Sequence, residues 1–230
     1  MEQVPIILAE NMTKASQWLN TVFASFDSAI LDFYYNLHKC SMGGFFDFFF
    51  KNFTLLGEDG IFLILLSLIL LMFKKTRKVG AGMLGGIIIG ALFTNITIKN
   101  IVARPRPYAT SELWQNRWQE INGNLESEYS FPSGHTTSAM AAMTPVFLFC
   151  KKNVSWLAFL FVILMGASRN YLFVHFPSDI LGGIIVGGLA GVLAYLIVQA
   201  FYNKIFPKNK FGNFVMDFDI RNIFKKSAKN

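Results

Sequence analysis

The stretch that decides the fold is PSDILGGIIVGGLAGVLAYLIVQAF, running from Pro177 to Phe201. No charged residue falls between Ile180 and Phe201. A helix that crosses a bilayer core takes roughly 17–25 mostly apolar residues, so this run is long enough to do so. Pro177 is suited to the first helical position. Asp179 then falls in the first turn, where negative charge is favoured. Gly183, Gly187 and Gly191 recur every four residues, a spacing that lets membrane helices approach closely.

Working outward, four more stretches read as membrane helices: Ile61 to Phe73, Val79 to Ile98, Thr136 to Cys150 and Val154 to Ser168 with its flanks. The first is short for a span and can extend upstream through a Phe-rich segment. The second repeats the small-residue spacing at Gly82, Gly86 and Gly90. Residues 17–56 hold Phe23, Phe26, Phe33, Tyr34, Tyr35 and Phe45-Phe46-Asp47-Phe48-Phe49-Phe50, interrupted by Asp27, Asp32 and Lys51. Amphipathic helices at the interface fit that pattern, one of them able to cross. The expectation is an all-α, multi-pass transmembrane helix bundle with five or six crossings. It is read as one domain over 1–230, with a core of about 50–202, N-terminal helices over 1–49 and a basic tail over 203–230.

Composition agrees. The chain has 230 residues, 53% of them hydrophobic and only 15% charged, against roughly 25% charged in a soluble domain. The net charge of +7 is not arranged as a basic stripe on a soluble face, so no nucleic-acid partner is expected. Cys40 and Cys150 form no metal-ligand or disulfide pattern. Met1-Glu-Gln-Val-Pro has no basic leader region. No cleavable signal peptide is expected, and the first membrane helix does the targeting.

Basic residues set the orientation. Lys74, Lys75, Arg77 and Lys78 form one short loop, and Lys151 and Lys152 another. The tail carries Lys204, Lys208, Lys210, Arg221, Lys225, Lys226 and Lys229. Alternating spans bring these to one face, which the positive-inside rule makes cytoplasmic. Residues 100–132 and 170–177 then lie on the opposite side, the former with Glu112, Glu120, Glu126 and Glu128. The tail is expected to hug the surface or to be partly disordered.

Three polar clusters fall at helix ends on that outer side. In the first, Lys99 closes a helix, and Pro105 and Pro107 stop it, holding Arg104 and Arg106 on a stiff, extended turn. Snorkelling would explain one cation there, but not three on the side where they are rarer. In the second, Tyr129-Ser-Phe-Pro-Ser-Gly-His135, Ser133 is a good N-cap. Gly134 permits close approach to the backbone, and the helix N-terminus favours an anion beside His135. In the third, His175 and Asp179 are spaced so that the carboxylate can meet one imidazole nitrogen. That contact would fix the tautomer and leave the other nitrogen free to attack. Capping and chance account for each cluster alone. Together they offer two imidazoles, a carboxylate, several cations and a helix N-terminus, which are the parts phosphoryl transfer needs. No carboxylate cluster of metal-ligand type is apparent, and no cofactor is expected.

Lys99-x6-Arg106-Pro107, Pro132-Ser133-Gly134-His135 and Ser168-Arg169-x5-His175-x3-Asp179 together resemble the three-part signature of the type 2 phosphatidic acid phosphatases (PAP2). The resemblance covers roughly Phe50 to Tyr202. It implies a six-helix membrane bundle that needs no metal and acts on a phosphorylated lipid, as in bacterial membrane lipid phosphatases. His175 would attack phosphorus, Asp179 would orient it, and His135 would serve the leaving oxygen and then water. Lys99, Arg106 and Arg169 would clamp the phosphate, with Ser133 and the Gly134 N–H assisting. Arg104 has no assigned role. Undecaprenyl diphosphate or monophosphate, phosphatidate and phosphatidylglycerol phosphate all suit the head-group chemistry at an extracytoplasmic site. A phosphotransferase on the same scaffold is the alternative. A vanadate haloperoxidase is disfavoured because those relatives are soluble. An anion transporter has no need of a His–Asp pair.

Overall fold

The computed structural model describes residues 4–123, 125–126 and 129–222. Glu128, Lys225, Lys226 and Lys229, weighed above, lie outside them. Among the described residues every regular element is helical. In chain order these are α1 (Lys14–Val22), α2 (Ala24–Lys39), α3 (Gly43–Thr54), α4 (Ile61–Leu71), α5 (Arg77–Ala91) and α6 (Lys99–Val102). They continue with α7 (Glu112–Ile121), α8 (Gly134–Phe149), α9 (Lys152–Ser155), α10 (Leu157–Tyr171), α11 (Pro177–Ala200) and α12 (Lys210–Asp217).

Four stretches are long and apolar enough to cross a membrane: Gly43–Leu71, Arg77–Ala109, Lys152–Tyr171 and Pro177–Lys208. The central α8, with 16 residues, is a further bundle member below that length. Six crossings are therefore more than the described helices supply by length and apolarity alone. The apolar run over 61–73 does extend upstream through the Phe-rich segment, because α3 and α4 form one 29-residue stretch. The stretch bends where Asp59 (φ 47°) and Gly60 (φ 67°) adopt left-handed backbone. α5 continues through a wider turn over Leu92–Ile98 into α6. That helix ends at Ala103, itself left-handed (φ 47°), two residues before the first proline. Large apolar side chains such as Leu65, Ile88, Ile163, Ile185 and Leu189 remain exposed on the bundle. A surface so apolar fits lipid contact, and the chain is a membrane protein.

The centre is a trio of α5, α8 and α11. Glycine sets their spacing. A Cβ added at Gly86 would stand 2.3 Å from the Ala141 carbonyl oxygen, and one at Gly187 would stand 2.4 Å from that of Thr137. Two apolar clusters flank the trio. One joins Leu63, Met83, Ile87, Ala139 and Met165 between α4, α5, α8 and α10. The other packs Leu31, Phe50, Tyr108, Trp118, Ile121, Tyr171 and Phe173 around the turn between α10 and α11. That turn carries His175, so the second cluster makes its backbone rigid.

At the other end the described part of the tail, to residue 222, is docked on the bundle. Lys74 Nζ meets Asp217 at 2.8 Å, and the Lys74 N–H donates to Asp219 at 3.2 Å. The buried Arg77 donates to Leu71 O at 2.9 Å and to the carbonyls of Val215 and Phe218. A helix and tail left with unpaired carbonyls would lose about 1–3 kcal/mol for each one buried, and Arg77 satisfies several at once. The basic loop and the tail thus share one face.

Candidate active site

The local rules that place each side chain are simple. Pro177 opens α11, and the Asp179 carboxylate accepts the Phe176 N–H at 2.8 Å, closing the first turn. Ser133 caps α8 by accepting the Thr136 N–H at 3.4 Å, which sets His135 in the first turn. Arg106 follows Pro105 on extended backbone (φ −76°, ψ 157°). The three clusters, far apart in sequence, converge.

A cavity of about 780 Å³ is lined by Lys99, Arg106, Gly134, His135 and His175 from the sequence-derived set. Lys99 approaches the start of α8, where a Cβ on Gly134 would lie 3.7 Å from its Nζ. Gly57 makes room for the His135 ring, because a Cβ there would come within 2.7 Å of its Cδ2. Arg169, Ser133 and Asp179 stand behind the wall of the cavity, all buried.

His175 is buried, and its two nitrogens face different partners. Nδ1 lies 3.6 Å from Asp179 Oδ2, while Nε2 lies 3.2 Å from Arg106 Nη1, which also donates to Val174 O at 2.9 Å. Asn170 donates to His175 O at 3.0 Å and fixes the backbone. Burial, and after it the charges of Arg106, Arg169 and Lys99, holds the imidazole well below the ordinary histidine value. The ring is therefore kept neutral, with a lone pair available to attack.

Sequence reasoning missed several members of the site. Glu126 reaches in from the 108–130 loop, bonding Arg169 Nη2 and standing 3.6 Å from Arg106 Nη2. A carboxylate thus bridges the two arginines expected to hold phosphate. Thr54, on α3, accepts from Arg169 Nη1 at 2.8 Å. Glu58, at the bend between α3 and α4, lies 3.6 Å from His135 Nε2. None of these sits in a motif. The only hint was acidic residues in a loop and at a helix junction.

Arg104, left without a role above, is fully buried and points away from the cavity. It joins Asp179 at 2.5 Å and Asp27 of α2 at 2.8 Å.

The sequence comparisons agree with this geometry. A profile described as the PAP2 superfamily matches residues 80–203. The chain is 31% identical over 135 residues to the undecaprenyl-diphosphatase BcrC of Bacillus subtilis, covering 58% of this chain and 65% of that relative. It is 26% identical over 182 residues to a lipid A 4'-phosphatase of Bacteroides thetaiotaomicron, covering 75% and 77%. Among solved structures, Aquifex aeolicus LpxE superimposes with a TM-score of 0.61 at 25% identity, covering 74% of this chain and 94% of that one. A transmembrane PAP2 type phosphatidylglycerolphosphate phosphatase from Bacillus subtilis does so at 0.60 and 25%, covering 83% and 92%. The matched segment contains all three clusters that meet at the cavity, and the chain belongs to the PAP2 superfamily.

Proposed function

We propose that the protein is a membrane lipid phosphatase that hydrolyses a lipid phosphomonoester or diphosphate through a phosphohistidine at His175. The observation that carries this reading is the cavity itself. It presents His175 Nε2 and His135 beside Lys99 and Arg106, with a carboxylate behind His175 Nδ1. The named relatives, whose activities are on lipid phosphates and diphosphates, support it.

The chemistry follows from the geometry. Nε2 of neutral His175 attacks phosphorus while Lys99 and Arg106, which line the cavity, carry the charge that spreads over the equatorial oxygens, and Arg169 adds its charge from behind the wall. The P–O bond to the lipid breaks, and the leaving oxygen takes a proton from His135. Without substrate, burial and then the charges around it lower His135 to about 2; the negative phosphoryl group offsets those cations and favours that proton's presence before the step. His135 then accepts a proton from water as the water attacks the phosphohistidine, releasing phosphate and regenerating His175. Asp179 stabilises the positive imidazole ring of the intermediate. The chain's own cations supply the charge a metal would bring. Undecaprenyl diphosphate or monophosphate, phosphatidate and phosphatidylglycerol phosphate are the substrates to offer. The basic loops and docked tail at the opposite end support a site on the extracytoplasmic face.

The test is phosphate release from these lipids by detergent-purified protein in EDTA, with acid-quench trapping of labelled phosphoenzyme. Wild type is expected to release phosphate and to trap label, and His175→Ala to do neither. Release that persists in His175→Ala, or that EDTA abolishes, overturns the reading.

A further inference from the structure

We propose that Arg104 and Asp27 are positioning residues for the His175–Asp179 pair, which makes the N-terminal helix α2 part of the catalytic apparatus. This rests on the reading of His175 as the nucleophile. Asp27 lies outside the segment that matches the family profile, residues 80–203. Arg104 lies inside it but faces away from the phosphate cavity.

Arg104 is bound to fixed parts of the fold and not to the phosphate cavity. Its Nε donates to Asn20 Oδ1 at 2.8 Å, and its Nη1 to Ser178 Oγ at 2.7 Å and Asp179 Oδ1 at 2.5 Å. Its Nη2 donates to Asp27 Oδ2 at 2.8 Å, and the guanidinium lies 4.1 Å over the Phe176 ring. A guanidinium has five N–H donors in a rigid fork, and four of them are committed here. The fork therefore reads the positions of two carboxylates and a hydroxyl at once, which a lysine cannot do.

Asp27 grips the same place from the other side. Its Oδ1 accepts the Ser178 N–H at 2.8 Å and its Oδ2 accepts the Ser178 hydroxyl at 2.7 Å. Ser178 is the second residue of α11, so Asp27 satisfies a backbone donor that a helix start leaves open. Asp179 comes next in the chain. Its two oxygens are thereby given different tasks. Arg104 takes Oδ1, and Oδ2 accepts the Phe176 N–H and the Ser130 hydroxyl and faces His175 Nδ1 at 3.6 Å. If the fork is removed, the carboxylate can turn about its last torsion, and the oxygen facing the imidazole is no longer fixed. The same fork stands between two buried carboxylates and offsets part of their repulsion across the start of α11.

The experiment compares Arg104→Lys, Asp27→Asn and Ser178→Ala with wild type and His175→Ala in the full-length, detergent-purified protein. It measures kcat, KM, inhibition by inorganic phosphate, the rate of phosphoenzyme formation and thermal unfolding. Arg104→Lys should lower kcat and phosphoenzyme formation about 10²-fold, the scale expected when a reacting group is misplaced. Asp27→Asn should lower both about tenfold, and Ser178→Ala by less, the scale of one charge-assisted hydrogen bond. KM and the phosphate inhibition constant should stay at wild-type values, because Lys99, Arg106 and Arg169 are untouched. Wild-type kcat in both Asp27→Asn and Ser178→Ala overturns the proposal. So does a loss of kcat matched by an equal loss of phosphate binding, or one that only follows unfolding. Activity surviving in His175→Ala would instead remove the function on which the proposal rests.

Discussion

Each end of the helix bundle buries arginine, and the two ends use it differently. At one end Arg77 donates to backbone carbonyls of Leu71, Val215 and Phe218, partners that never leave. At the other, Arg106 and Arg169 share the carboxylate of Glu126 beside a cavity that also holds two imidazoles. Both sets are almost wholly buried. The contrast shows that a buried guanidinium does not by itself mark a site. What marks it is a partner that a phosphate can replace. Arg104, two residues from Arg106, belongs with Arg77 in this respect, since its partners are fixed parts of the fold.

The sharpest way to break the comparison is to remove one arginine from each end. Arg106→Ala is expected to lower kcat about 10²- to 10³-fold, the usual effect of losing one donor to the transition state. Arg77→Ala is expected to leave kcat per folded molecule unchanged and to lower stability by about 2–3 kcal/mol, the scale of lost hydrogen bonds to a charged group. Lipid phosphate release and detergent-phase thermal unfolding measure the two. Equal losses of kcat in both variants would erase the distinction.

A second, smaller effect is on pH dependence. The depressed His175 remains unprotonated below 6.5, the ordinary value of the group. The acid limb of kcat/KM for His175 should therefore lie below 6.5. Arg106→Ala should raise it, by removing one of the charges that disfavour the imidazolium. Stability should follow the same group. Below 6.5 the unfolded chain binds a proton that the folded chain refuses, so this contribution is present above 6.5 and is lost as pH falls towards the folded value. A limb at or above 6.5 in wild type would contradict the arrangement.

The smallest effect concerns Glu126. Glu126→Gln keeps the side chain's shape and removes the charge that competes with phosphate. KM for the lipid and the inhibition constant for inorganic phosphate should each fall about two- to fivefold, the scale of one partly exposed ion pair. An unchanged or raised KM would show that the carboxylate assists substrate rather than yielding to it.

Several parts of this site were legible as spacing. His175 and Asp179 are four residues apart, His175 just before α11 and Asp179 in its first turn, so their approach needs no knowledge of the rest of the chain. Ser133 before Gly134 announced a cap, and the capping bond is present. The apolar runs announced the helices, and the extension of the 61–73 run upstream through the Phe-rich segment matches the 29-residue stretch Gly43–Leu71. Asp27 looked like an interruption in an amphipathic segment, yet it is buried against Arg104 and the start of α11. Glu126 and Glu58 carry no local signal, since neither precedes a cap nor repeats with a period.

By itself the sequence determined that this is a bundle of apolar helices and that three helix ends bear imidazoles, cations and a carboxylate. Apolar run length, proline and capping residues act within a few positions of themselves, so a linear reading captures them. Only the tertiary structure decided which arginine faces the cavity and which holds the frame, that the Glu126 carboxylate lies between Arg106 and Arg169, and that the described part of the tail packs at the opposite end. Those outcomes depend on residues such as Asp27 and Ser178, or Arg77 and Phe218, brought together across most of the chain. Their pairing exists only once α2 packs against α11 and the tail against the start of α5, a property of the packed bundle that no short stretch contains.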